Sequence, residues 1–129
     1  MSGIFVDTNI FVEMFVRTGN KTDRCSKLLS TENNLCTSSL VISEVEWVMR
    51  AGYGVEKRDI VRAMKKILTS DILIEDKKLL VDGLNYYELN NVDWTDCLNM
   101  FLMKEQKVTE VYSYDRGLNK FDWVKRLEP

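Results

Sequence analysis

The 129-residue sequence contains no histidine. This absence excludes Ser-His-Asp and Cys-His catalysis, acid–base chemistry by histidine, and zinc sites with histidine ligands. If the chain is an enzyme, its chemistry depends on carboxylates, lysine, hydroxyl groups, or a metal ion bound by oxygen atoms.

Proline, paired cysteines and long apolar runs are also scarce. The single proline is the last residue, and the three cysteines, Cys25, Cys36 and Cys97, form no CxxC pair. An odd set of cysteines without such a pair is typical of small apolar side chains in a reducing compartment. No run approaches the ~20 apolar residues of a membrane span, and no signal segment is visible. We therefore expect a cytoplasmic protein.

The remaining composition is that of a globular protein, with 45% hydrophobic and 29% charged residues. The length is close to that of one domain, and no linker or repeat is visible, which predicts a single domain over residues 1–129. The net charge of −2 gives no general attraction for nucleic acid. Binding to nucleic acid would need a local basic patch or a metal ion.

Short β-like runs alternate along the chain with longer helical patterns. The predicted strands are Gly3–Val6, Leu35–Thr37, Ile72–Ile74, Val111–Tyr114 and Trp123–Leu127. The predicted helices are Asn9–Val16, Asp23–Leu29, Ser38–Ala51, Glu56–Leu68, Lys77–Leu89 and Trp94–Gln106. This alternation predicts an α/β fold with a mostly parallel sheet covered on both faces, in which ligands bind at the carboxyl ends of the strands.

Two aspartates, Asp7 and Asp115, each follow a predicted strand and are expected in that crevice. Each also has an ordinary structural alternative. Asp7 is a suitable N-cap for the next helix, and Asp115 with Arg116 and Gly117 is a typical turn.

Helical spacing in Ser38–Ala51 predicts a carboxylate inside an apolar stripe, formed by Val41, Glu44, Val45 and Val48. Because burial of an unpaired carboxylate is costly, Glu44 is predicted to have a partner or to bind a metal. The alternative is an edge residue that reaches solvent or pairs with lysine. Glu46 is predicted to form a surface ion pair with Arg50, four residues later.

The start of the helix Trp94–Gln106 carries two more acids. Asp93 is predicted to be its N-cap, with Asp96 in the first turn. Asp96 shares a face with Asn99, Met100 and Met103 and is predicted to point inward. Clustering of Asp7, Glu44, Asp96 and Asp115 would require charge compensation, and an oxygen-only site suits Mg²⁺ or Mn²⁺.

Four segments resemble, in the same order, the acidic motifs of the PIN-domain nucleases, and in particular of the short VapC-type toxins: FVDTNIFV, SSLVISEVEWVM, VDWTDCLNM and VYSYDRGLNKF. The resemblance covers nearly the whole chain. It implies an α/β/α sandwich with a central, mostly parallel four- to five-stranded sheet, metal-dependent cleavage of RNA, frequent homodimers and a small antitoxin partner. One departure is Cys97-Leu98-Asn99, where relatives commonly have small apolar residues.

The resemblance also implies roles for individual residues. The metal-binding and catalytic acids would be Asp7, Glu44, Asp96 and Asp115, and the supporting polar residues Thr8, Asn9, Asp93 and Ser113. Mg²⁺ or Mn²⁺ held there, as one ion or as two about 3.5–4 Å apart, would activate water to attack a phosphodiester bond.

Three alternatives stay open. The chain could be a catalytically silent PIN-fold module that binds nucleic acid or protein, an RNA-processing nuclease outside a toxin pair, or a phosphoryl-transfer enzyme with Asp7 as nucleophile. Backbone-binding candidates are Arg17, Arg50 and Arg116, with solvated surface as the alternative. Candidates for a dimer or antitoxin surface are Trp47, Met49, Tyr53, Tyr86 and Tyr87, with core packing as the alternative.

Overall fold

The structure is a computed structural model and describes residues 3–129. The contacts divide the chain into two compact units, Met1–Lys77 and Lys78–Pro129. The single domain predicted over residues 1–129 stays a prediction, and each unit is described by itself.

The first unit contains a parallel sheet and the helices that connect its strands. The strands β1 (Ile4–Phe5), β2 (Leu35–Thr37) and β3 (Leu73–Ile74) pair in that order, and both pairings are parallel. The helices are α1 (Thr8–Val16), α2 (Asn20–Thr31), α3 (Ser39–Trp47) and α4 (Lys57–Leu68). A π-helix, Val48–Gly52, continues α3.

The second unit begins with two helices, α5 (Lys77–Leu89) and α6 (Trp94–Glu105). Two strands follow, β4 (Glu110–Tyr112) and β5 (Lys125–Leu127), and they pair in parallel. A 3₁₀ helix, Arg116–Lys120, lies between them and was not predicted. The predicted α/β class with parallel strands is confirmed. In place of one central sheet of four to five strands, the described strands form a three-stranded and a two-stranded sheet.

The helices bury the faces that their sequence pattern predicts, and α4 is the clearest case. Its apolar residues recur at helical spacing, and all of them are buried: Ile60, Val61, Met64, Ile67 and Leu68. The other side of α4 carries mostly lysine and arginine. None of the helices between residues 3 and 129 is both long and apolar enough to cross a membrane.

Pairing of β1 with β2 places two strand ends beside each other. The Val6 amide donates to the Cys36 carbonyl at 2.8 Å, and the buried Thr37 hydroxyl donates to the Val6 carbonyl at 2.8 Å. Because parallel strands end at the same edge of a sheet, α1 and α3 both begin at this edge.

The buried face of α3 differs from the prediction. It consists of Val41, Ile42, Val45 and Glu46, and Met49 continues it, whereas Glu44 is exposed. The prediction that Glu44 lies within the buried apolar stripe was therefore wrong. The predicted stripe did not include Ile42 and Met49, which belong to the buried face. Glu46 does pair with Arg50, whose Nε donates at 2.8 Å, but its carboxylate is buried and not on the surface.

Removing Arg50 should destabilise the protein more than removing Glu46. Arg50→Met removes a guanidinium that donates to the buried Glu46 carboxylate, at a cost of about 3 kcal/mol. Glu46→Leu instead leaves a guanidinium whose side chain is 46% exposed, which water can solvate. Urea unfolding at neutral pH measures both costs, and the double variant should recover most of the loss. Equal costs for the two single variants would contradict this asymmetry.

Candidate active site

A cavity of about 390 Å³ opens in the first unit beside the start of α1. Its wall contains three acids, Asp7, Glu13 and Glu44, and two cations, Arg17 and Lys21. The rest of the lining is Thr8, Asn9, Ile10, Val12, Cys25, Val48 and Tyr53. The cavity therefore combines acidic groups with basic groups that could bind an anion beside them.

Asp7 serves both as a helix cap and as part of this cavity. It is the N-cap of α1, and its Oδ1 accepts a hydrogen bond from the Thr8 amide at 2.8 Å. The structural alternative for Asp7 is therefore confirmed. Capping does not remove the carboxylate from the cavity, since the side chain still lines it together with Asn9. The cap instead fixes the direction in which the carboxylate points.

Glu44 lines the same cavity as Asp7. It lies in the middle of α3 and is exposed, at the edge of the apolar face. Two of the four predicted acids, distant in sequence, are thus brought to one cavity. An exposed carboxylate keeps its charge at little cost, so Glu44 needs no partner in the protein.

Glu13 is a third acid at this site that the sequence analysis missed. Its side chain is buried, accepts a hydrogen bond from the Thr22 hydroxyl at 2.8 Å, and lies 3.6 Å from the Lys21 ammonium. One signal was available, because Glu13 lies four residues after Asn9 and interrupts an otherwise apolar helix. Its partners, Thr22 and Lys21, lie in α2, so the sequence pattern of α1 alone could not predict them.

The other two predicted acids, Asp96 and Asp115, lie close to each other in the second unit. Asp93 is the N-cap of α6, as predicted, and its Oδ2 accepts from the Asp96 amide at 3.1 Å. Partial burial raises the pKa of Asp96 above its ordinary value, and so do the charges of Asp93 and Asp115 and a side-chain hydrogen bond with Asp115. The neighbouring carboxylates therefore disfavour the charged form of Asp96.

Asp115 is held by hydrogen bonds on both sides. Its Oδ1 accepts from the Gly117 amide at 2.8 Å, which caps the 3₁₀ helix, and its own amide donates to the Ser113 hydroxyl at 3.0 Å. A Cβ atom at Gly117 would lie 3.0 Å from that Oδ1, so glycine allows the close approach. The predicted turn is therefore a 3₁₀ helix that fixes the carboxylate. Strand β4 ends earlier than predicted, at Tyr112.

The donor set suits a hard cation. Among residues 3–129, no three acidic or cysteine side chains are grouped so that they alone could hold a metal ion. The predicted acids instead occur as two pairs, Asp7 with Glu44 and Asp96 with Asp115, all with oxygen donors. Mg²⁺ usually binds one or two carboxylates and completes its shell with water and substrate phosphate. Each pair fits that mode of binding.

The residues predicted to bind the RNA backbone or to form a dimer or antitoxin surface differ in their exposure and contacts. Arg17 lines the cavity, Arg50 binds Glu46, and Arg116 is exposed at the start of the 3₁₀ helix. Of the aromatic and apolar candidates, Met49 and Tyr87 are buried in the core, Tyr86 is half-buried, and Trp47 and Tyr53 are exposed.

Comparison with known proteins gives one family match over most of the chain. The model of the PIN domain family matches residues 4–124. The chain is also similar to a VapC ribonuclease of Aquifex aeolicus, with 27% identity over 90 residues, which are 69% of this chain and 66% of that protein. The aligned part thus spans just under two thirds of the relative's length. A crystal structure of VapC20 from Mycobacterium tuberculosis, described as a sarcin–ricin loop cleaving toxin, is 17% identical, with a TM-score of 0.47, over 98% of this chain and 100% of that one.

Thr22→Val should destabilise the protein, because it removes the hydroxyl that donates to the buried Glu13 carboxylate. Loss of a donor to a buried charged group costs about 1–3 kcal/mol, and valine keeps the shape of threonine. Thr22→Ser keeps the donor and should lose less than half as much. Urea unfolding compares the three proteins. A valine variant as stable as the parent would show that water replaces the hydroxyl at no cost.

Proposed function

The chain belongs to the PIN-domain family, and on this basis we propose that it is a metal-dependent endoribonuclease that hydrolyses phosphodiester bonds in RNA. The observation that carries this proposal is the pairing of the motif acids, Asp7 with Glu44 in one cavity and Asp96 with Asp115. Acids so far apart in sequence gain nothing in stability from being paired. Their proximity is expected where a cation binds.

We propose Asp7, Glu44, Asp96 and Asp115 as the ligands of Mg²⁺ or Mn²⁺. The set contains only carboxylate oxygens, the donors that these hard cations prefer. When bound, the cation lowers the pKa of water and offsets charge on the phosphate that is attacked.

The residues around the acids keep them in place and bind substrate. The Thr8 amide fixes the Asp7 carboxylate, and the Asp93 carboxylate holds the first turn of the helix that carries Asp96. The Ser113 hydroxyl accepts from the amide of Asp115. One of the four catalytic acids accepts the proton of the attacking water.

The net charge of −2 does not attract RNA. The negative charge of the RNA backbone must therefore be balanced by cationic side chains close to the site. Arg17 and Lys21 in the cavity wall offset the phosphates that flank the bond, and Asn9 donates its amide to phosphate or water. In this arrangement, Arg17 and Lys21 bind phosphate groups next to the site of Asp7 and Glu44.

Asp7→Asn and Asp115→Asn should each lower the cleavage rate by more than about 100-fold. Loss of a residue that only hydrogen-bonds to a metal ligand lowers activity by about 10- to 100-fold, and loss of the ligand itself should lower it further. Asparagine caps helices as well as aspartate, so both proteins should remain folded. The assay follows a labelled RNA over time with Mg²⁺, with Mn²⁺ and with EDTA.

The matched control is Asp23→Asn, which changes an exposed acid in the first turn of α2, outside the cavity lining. It should cleave at the parent rate. Full activity of Asp7→Asn, or equal rates with and without EDTA, would contradict the proposal. Retardation of RNA on a gel without cleavage by the parent protein would favour a silent binding module.

We further propose that the protein acts in the cytoplasm as the toxin of a toxin–antitoxin pair, with a small antitoxin partner. Similarity to the Aquifex VapC ribonuclease supports this proposal. The alternative is an RNA-processing nuclease without such a partner. A neighbouring reading frame for a small charged protein that inhibits cleavage after co-purification would favour the toxin.

A homodimer is part of the same proposal. Leu40 is 81% exposed and Trp47 is 58% exposed, and they lie two helical turns apart on one side of α3. Light scattering at micromolar concentration should give a dimer, and Leu40→Glu should shift it to a monomer because a charge cannot be buried there without a partner. A strictly monomeric parent protein would contradict the dimer.

A further inference from the structure

One aromatic side chain in the cavity wall is not explained by packing. Tyr53 is 43% exposed and lines the cavity that also contains Asp7 and Glu44. Of the other apolar groups of this wall, Val12 and Cys25 are buried, and Ile10 and Val48 are half-buried. An exposed ring beside groups proposed to act on RNA offers a flat surface for a base.

The backbone holds Tyr53 firmly in this position. It follows the π-helix Val48–Gly52, and the Val55 amide donates back to the Met49 carbonyl at 2.9 Å, which closes the turn. Gly54 has a φ of +64°, in the left-handed region that favours glycine. The ring is thus presented by a tight turn and not by a loose loop.

Arg17 contacts the outer end of the Tyr53 ring, and part of the ring stays exposed. Its Nη2 donates to the Tyr53 hydroxyl at 2.8 Å, and its Cζ lies 5.8 Å from the ring centroid. This distance is within the reach of a cation–π contact, and the side chain of Tyr53 is still 43% exposed. Arg17 lies beside this partly exposed ring in the cavity wall, together with Lys21, whose ammonium lies 3.6 Å from the Glu13 carboxylate.

We propose that Tyr53 is the platform on which one base of single-stranded RNA stacks, while Arg17 and Lys21 bind the phosphates on either side of it. This subsite rests on the proposed nuclease function, because it places the stacked nucleotide beside the catalytic acids. Stacking on an aromatic side chain accepts any base and raises affinity by about 5- to 150-fold per base. Tyr53 is thus a substrate-positioning residue and not a catalytic one.

The test measures binding separately from cleavage. In the full-length Asp7→Asn protein, fluorescence anisotropy gives the affinity for a short labelled oligoadenylate. Tyr53→Leu should weaken binding by about 5- to 150-fold, and Tyr53→Phe, which keeps the ring, should bind within about 2- to 3-fold of the Asp7→Asn parent. A 2-aminopurine base in the same RNA should lose fluorescence on binding only when position 53 is aromatic.

Salt dependence separates stacking from charge. Arg17→Gln should reduce the slope of log affinity against log salt by about 0.7, the value for one phosphate contact on a single strand. Tyr53→Leu should leave this slope unchanged. The matched control is Tyr112→Leu, which removes a tyrosine that is 70% exposed in the second unit and should bind like the parent.

Several outcomes would overturn the subsite. These are unchanged affinity of Tyr53→Leu, equal losses for Tyr53→Phe and Tyr53→Leu, or an equal loss in Tyr112→Leu. The proposed nuclease fails in a different way. A protein without the Asp7→Asn change that quenches 2-aminopurine through Tyr53 but cleaves no RNA with Mg²⁺ or Mn²⁺ would keep the subsite and lose the catalytic assignment.

Discussion

The cost of bringing carboxylates together, partly out of water, governs the chemistry of this protein. Glu46 meets the cost by pairing with Arg50, and Glu13 by accepting a hydrogen bond from Thr22. The carboxyl group of Asp96 has a raised pKa because burial and the neighbouring aspartates disfavour its charge. A bound cation, as proposed above, would offset the charge that Asp96 carries beside Asp93 and Asp115.

Much of the fold could be predicted from sequence because most helices are amphipathic. The bounds of α5 agree with the prediction, and α4 differs at one end by one residue, since regular apolar spacing marks both helices. Helix α2 is longer than predicted because its first turn, from Asn20 to Thr22, has no apolar residue to show the pattern. In strands of two or three residues, the ends are set by hydrogen bonding to the neighbouring strand and not by the local sequence. This explains why β4 ends earlier than predicted.

The roles of the candidate site residues stay a prediction, and only their placement can be compared with the structure. Motif order predicted Asp7, Glu44, Asp96 and Asp115; the first two line one cavity, and the last two lie close to each other. The direction of α3 was not predictable from four positions, because Ile42 and Met49 shift its buried face. Glu13 was not predicted as a site residue because its burial depends on the Thr22 hydroxyl, which comes from another helix.

The π-helix after α3 determines where the Tyr53 side chain lies. An α-helix turns by about 100° per residue, and the wider turn of Val48–Gly52 changes that progression just before Tyr53. Deletion of one residue in this segment would return the chain to α-helical winding and swing the aromatic ring away from the opening. The length of the segment therefore decides which side chain lines the cavity after residue 52. Asp7 and Glu44 precede the segment, so such a deletion would change the aromatic part of the lining and leave both acids in place.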